Sequence, residues 1–265
     1  MKNQYFGDVG DYGKYGLLRF IAKRGVTIAV NWYLTPDDQS NDGHIRGYLA
    51  NDRNRKYDPE LFDVLREMNV HKEQNVGRFV ERKMIPGAIY FDSIVQPHFS
   101  DSTLSVTDKR LARERWHQQA LAECYGPELV FMDPDNGLRE GNPTARKDAQ
   151  KFVYASEAYS FYNRGQDVVY YCHKGRRTEA QWEKAKCIMR EHCPDAAMLG
   201  VTYHRGTQRS YIFVLHPEKE EFYHVLLKDF LETAWKDCFT SEPISQTQHD
   251  KNLHDLIEKM GMQDN

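Results

Sequence analysis

The run Asp133-Pro134-Asp135-Asn136-Gly137 follows directly on the apolar stretch Leu129-Val130-Phe131-Met132. Four apolar residues in a row read as a strand buried on both faces, so Asp133 should emerge at the end of a strand. In open α/β sheets, ligands bind beyond the carboxyl ends of the strands, where backbone and side-chain polar groups are free to meet them. Pro134 fixes one backbone angle, and Gly137 permits a turn that other residues resist. The same residue types are standard turn formers, so a plain turn is the competing reading. The strand-end position favours a site. Asp133, Asp135 and Asn136 are its candidate groups, joined by His173, which follows the next strand and could act as acid or base near neutral pH.

Other reactive side chains fall after other strands. Thr35, Asp37 and Asp38 follow the apolar run Val26 to Tyr33, at the place where a cofactor loop normally begins. They could bind a ribose or a divalent metal, or solvate a loop. Lys174, Arg176 and Arg177 form a basic cluster just before a helix start, where backbone N–H groups add to the attraction for phosphate. The segment Asn3 to Gly16 is rich in glycine and tyrosine, and Asp8, Asp11, Lys14 and Tyr15 within it suit a strip folded over a ligand crevice. A flexible arm is the alternative. Its glycines match neither GxGxxG nor GxxxxGK[ST].

The elements that must position these groups alternate. Strands are expected at Val26–Tyr33, 88–91, Leu129–Met132, Val168–Cys172, Ala197–Tyr203 and Ser210–Leu215. Helices are expected between them: one ending near Arg24, one from Pro59 to Met68 capped by Asp58, and others over 73–82, 107–124 (capped by Thr107), 148–162, 179–192 (capped by Thr178) and 220–235. This order predicts an α/β fold, a Rossmann-like three-layer sandwich with a mostly parallel sheet and an antiparallel hairpin at one edge. Residues 1–240 should form that domain, with 241–265 as a polar tail.

Composition narrows the function classes. The 265 residues carry a formal net charge of −3, which gives no global electrostatic case for nucleic-acid binding. No apolar run approaches the roughly 20 residues that span a bilayer. The first residues lack the apolar core of a signal peptide, and five cysteines with no CxxC pair read as reduced thiols. A cytoplasmic protein is expected.

On these motifs the chain resembles class I S-adenosylmethionine-dependent methyltransferases, and most nearly the short ribosomal-RNA adenine methyltransferases. The resemblance covers residues 3 to 217. It rests on the aromatic and glycine-containing segment Tyr5 to Leu18, on Asp133-Pro134-Asp135-Asn136 after a strand, and on a closing strand, helix and hairpin over Val168 to Leu215. It implies S-adenosylmethionine as cofactor, with Asp133 receiving an exocyclic amine of a nucleic acid or nucleotide. Two positions depart from the family. No glycine follows the first strand until Gly43, and Asp135 and Asn136 stand where the family has proline and an aromatic. The chain also resembles bacterial and phage proteins, without assigned activity, that begin Asn-Gln-Tyr-Phe-Gly-Asp and carry Asp-Pro-Asp-Asn-Gly.

Three chemistries are compatible with these residues. One is a methyltransferase-like enzyme, with Asp8, Asp11, Lys14, Tyr15, Thr35, Asp37 and Asp38 toward the cofactor and Lys174, Arg176 and Arg177 on a phosphate. The second is a Mg²⁺-dependent nuclease or phosphohydrolase, with Asp133, Asp135 and Asp37 or Asp38 holding the metal. The third is a binding module without catalysis.

Overall fold

A computed structural model describes residues 1–38, 43–73, 75–95, 103–144, 146 and 148–245. The chain opens with helix α1 (Val9–Lys23), then strand β1 (Ile28–Asn31), helices α2 (Pro59–Val70) and α3 (Val76–Glu81), and strand β2 (Ile89–Phe91). Helix α4 (Val106–Glu123) leads to β3 (Leu129–Met132), the short pair β4 (Leu138–Arg139) and β5 (Val153–Tyr154), and helix α5 (Ala155–Tyr162). Then come β6 (Asp167–Cys172), α6 (Glu179–Lys186), β7 (Ala197–Tyr203), β8 (Arg209–Leu215), α7 (Glu220–Glu232) and β9 (Phe239–Ser241).

Seven strands form the main sheet in the order β2-β1-β3-β6-β8-β7-β9. Strands β2, β1, β3 and β6 are parallel neighbours, and β8 is antiparallel to both β6 and β7. β7 therefore runs with the first four, and β9 runs against it. The expected neighbours β1, β3 and β6 are adjacent. The hairpin β7–β8 forms the antiparallel side, with β9 laid outside it.

Alternation of side chains across the strands builds two cores. Leu129 and Phe131 face one way, with residues of α1, α2, α3 and α7. Val130 and Met132 face the other, with Trp116 of α4, Phe161 of α5 and Trp182 of α6. Helices cover both faces, which is why the strand reads as an unbroken apolar run. Among the described residues no helix is long and apolar enough to cross a membrane, and all five cysteines are free thiols.

Several expected elements shift. α1 begins at Val9 rather than after the glycines, because Gly10, Gly13 and Gly16 lie on one helical face that needs no Cβ. A Cβ there would stand 2.0 Å from Arg209, 2.6 Å from Tyr203 and 2.2 Å from Trp235 respectively. The arm reading of this segment is thereby replaced by a buried helix. Ser105, not Thr107, caps α4, in a reciprocal pairing with Asp108. The helix expected over 148–162 is shortened by β5, and the one expected to reach His192 ends at Lys186. The tail does not begin at Ser241. Ser241 pairs with Val201, and the buried Glu242 carboxylate takes bonds from Lys186 Nζ (2.9 Å) and Thr202. The rest of the expected tail, 246–265, lies outside the described residues.

Candidate functional site

The chain passes from β1 outward to β2 and returns to β3 on the other side of β1. That reversal opens a crevice at the carboxyl ends of β1 and β3. Asp133 continues the ladder there, its N–H donating to Asn31 O at 3.0 Å. Pro134 and Asp135 carry the chain over the edge, Asn136 N is anchored on Lys151 O at 2.9 Å, and Gly137 takes φ +95, the left-handed value that the turn requires. The motif is both a turn and the wall of a cleft of about 570 Å³.

Helix α1 supplies the opposite wall. Asp8 caps it, accepting from Gly10 N at 2.7 Å and Asp11 N at 2.9 Å, and its second oxygen meets Arg209 at 3.0 Å. Two turns in, Lys14 Nζ lies 2.7 Å from Asp11 Oδ1 and 2.6 Å from Asp133 Oδ2. All three side chains are buried. Burial pushes both carboxyls above the ordinary carboxylate value, and Lys14, joined at Asp133 by the Met1 amino group, offsets only part of that rise. Burial alone would lower Lys14, but the two carboxylates outweigh it and hold its value up. One lysine ammonium thus serves two acids at the cleft wall.

The N-terminal residues cross the end of β1. Met1 donates from its amino group to Asp133 O at 2.9 Å and to Tyr33 O at 3.2 Å. The same group lies 2.9 Å from Asp135 Oδ1, an ion pair without hydrogen-bond geometry. Burial would raise the Asp135 carboxyl, but this ammonium outweighs it and holds it low. Thr35 bonds to Met1 O through its N–H (2.8 Å) and hydroxyl (3.3 Å), and its hydroxyl also meets Asp135 Oδ2 at 3.3 Å. Asp37 accepts from Gln4 N at 2.9 Å, and Asp38 pairs with Lys2 and the Gln4 amide. Thr35, Asp37 and Asp38 therefore strap down the N-terminal residues and do not line the cleft.

Of the residues singled out in sequence, the structure brings Asp8, Asp11, Lys14, Asp133, Asp135 and Asn136 to this cleft. Tyr15 stands behind the wall, stacked on Phe79 at 4.2 Å with its hydroxyl on Asp11. His173 lies one layer back, its Nδ1 3.4 Å from the Tyr171 hydroxyl. Burial and then Arg177 and Arg209 lower its affinity for a proton. The basic cluster turns away: Lys174 pairs with Glu179, Arg177 donates to His173 O at 2.7 Å, and Arg176 is exposed. Among the described residues no three His, Cys, Asp or Glu side chains gather to hold a metal ion. Asp37 and Asp38, either of which the Mg²⁺ arrangement would take with Asp133 and Asp135, are bonded to Gln4 and Lys2.

Among the lining residues that escaped the sequence reading are His44, Lys151, Tyr171, Thr207, Arg209 and Tyr211. Searching after each strand suits parallel strands only. β8 runs the other way, so its first residues, Arg209 and Tyr211, reach the same edge from the opposite chain direction. Lys151 arrives through the connection to β5, which shows no periodicity of its own. Compared with known proteins, the chain matches no family model and no curated protein.

Proposed function

We propose that this cleft receives a nucleotide or a nucleic-acid base, in the manner of the acceptor side of a methyltransferase-like enzyme. The observation that supports this most is the buried Asp133 carboxyl. It stands at the strand end beside the reversal point of the sheet, opposite Lys14 and Asp11 and open to a cleft of ligand size. Asp133 would accept from an exocyclic amine and the Asn136 amide would fix its orientation. The partly exposed Tyr171 ring would give an aromatic edge for the base.

S-adenosylmethionine is judged by the residues beyond β1, and as they stand these do not fit it. Thr35 is held by Met1, Asp37 and Asp38 by Gln4 and Lys2, and no glycine lets a cofactor approach the backbone between Asn31 and Asp38. The metal alternative finds no gathered ligand set among the described residues.

Thermal unfolding with nucleosides, nucleotides, S-adenosylmethionine and S-adenosylhomocysteine tests this. A ligand at 100 times its Kd stabilises by about 2.7 kcal/mol, a shift easily read. Nucleosides or nucleotides should raise the melting temperature of the wild type and leave D133N unmoved. A response from neither class, or an equal response from D133N, refutes the assignment.

A further inference from the structure

The lining of the cleft narrows the class of ligand further, an inference that rests on its reading as a nucleotide site. Three of the lysine, arginine and ammonium groups lining the cleft are already committed: Lys14 to Asp11 and Asp133, Arg209 to Asp8, and the Met1 amino group to Asp135. Lys151 lines it too, and among the described residues its ammonium has no ion-pair partner. Its backbone is not loose, since Lys151 O holds Asn136 N at 2.9 Å and Lys151 N donates to Asp148 O at 3.0 Å. A cation with no ion-pair partner among the described residues, within electrostatic reach of Asp135, is thus carried on an anchored backbone beside the Asp133 turn.

At the base of the cleft the Tyr211 side chain is fully buried, and among the described residues its hydroxyl has no hydrogen-bond partner. A buried hydroxyl left unpaired costs stability, and a small shift of the ring would let a ligand in the cleft supply the missing bond. The cleft therefore offers an ammonium for an anion and, on the same lining, a carboxyl and tyrosine rings for a base.

We propose that the cleft binds a free nucleoside monophosphate, with the phosphate on Lys151 and the base toward Tyr211 and Asp133. A volume of about 570 Å³ suits a single nucleotide. A longer nucleic acid would need several more phosphates neutralised. The basic cluster that could do so is turned onto its own loop and Glu179, and the chain carries a net charge of −3.

Calorimetry at one fixed salt concentration compares ribonucleoside monophosphates, the matching nucleosides and a trinucleotide. Monophosphates should bind the wild type about tenfold or more tightly than nucleosides, the effect of a charge-assisted hydrogen bond. K151Q should erase that preference and K151R should keep most of it, while R176Q should leave it unchanged. Equal binding of nucleosides and monophosphates, or a preference that survives K151Q, overturns the anion subsite and leaves the nucleotide cleft standing. A trinucleotide that binds more tightly than its monophosphates overturns the mononucleotide in favour of nucleic acid. Failure of every probe to bind removes the nucleotide reading and this inference together.

Discussion

Two buried ionic clusters sit on opposite faces of the same sheet and are built on opposite rules. On the α4–α5 face, Arg113 meets Glu157 through two bonds, Nε at 2.6 Å and a terminal nitrogen at 2.9 Å, and donates again to Phe152 O at 2.9 Å. Tyr154 N and the Tyr33 hydroxyl also donate to Glu157. Charge is matched one to one. Burial would raise Glu157, but Arg113 outweighs it and holds the carboxyl below its ordinary value. On the α1 face, Lys14 is shared between Asp11 and Asp133, and both acids stay above their ordinary value. A closed pair fastens two elements together. An open triad keeps an acid short of counter-charge beside a cleft, an arrangement suited to binding or proton movement and poor as a fastener.

The comparison can be broken most forcefully at the closed pair. E157A leaves a buried guanidinium without its counter-charge, which costs about 3–5 kcal/mol. Urea unfolding should show the midpoint falling accordingly. A loss no larger than that of an exposed pair would mean that Arg113–Glu157 fastens nothing.

pH sharpens the contrast because the two shifts have opposite signs. Glu157 has a lowered value in the fold, so its stabilisation is present above 4.5 and lost as pH falls through the lowered value. The stability gap of wild type over E157Q should therefore widen as pH rises from acid. Asp133 has a raised value, so its favourable contribution belongs to low pH and fades as pH climbs from 3.8 through the raised value. The balance between wild type and D133N should move toward the variant over that climb. Unfolding curves taken from below the ordinary carboxylate range up to neutral pH read both slopes. Slopes of the same sign would erase the distinction.

The smallest stability effect belongs to D133N at neutral pH. Lys14 keeps Asp11, and crowding of two acids on one ammonium is relieved, so the change should stay within about 1 kcal/mol. A loss comparable to that of E157A would make Asp133 a fastener and the motif a structural turn.

How far the sequence could be read differs from element to element. Leu129–Met132 and the helix starting at Pro59 behind Asp58 lie where the pattern puts them, because burial on both faces and capping chemistry are written locally. α1 was hidden by its glycines. Their value as space for Arg209, Tyr203 and Trp235 exists only once β7, β8 and the residues after α7 are packed against that face.

The sequence by itself determined the alternation of strands and helices, the exit of Asp133 from a buried strand and the turn at Gly137. Each depends on side-chain period or backbone freedom within a few residues. Tertiary structure decided which charges meet. Lys14 and Asp133 are 119 positions apart, and Arg209 and Asp8 are 201 apart. Their pairing follows from strand order and from the reversed direction of β8, and no local spacing encodes either. The same folding turned Asp37, Asp38 and the Lys174–Arg177 cluster away from the cleft. A charged side chain goes to whichever counter-charge the assembled fold brings within about 3–4 Å, and only the finished packing sets that distance.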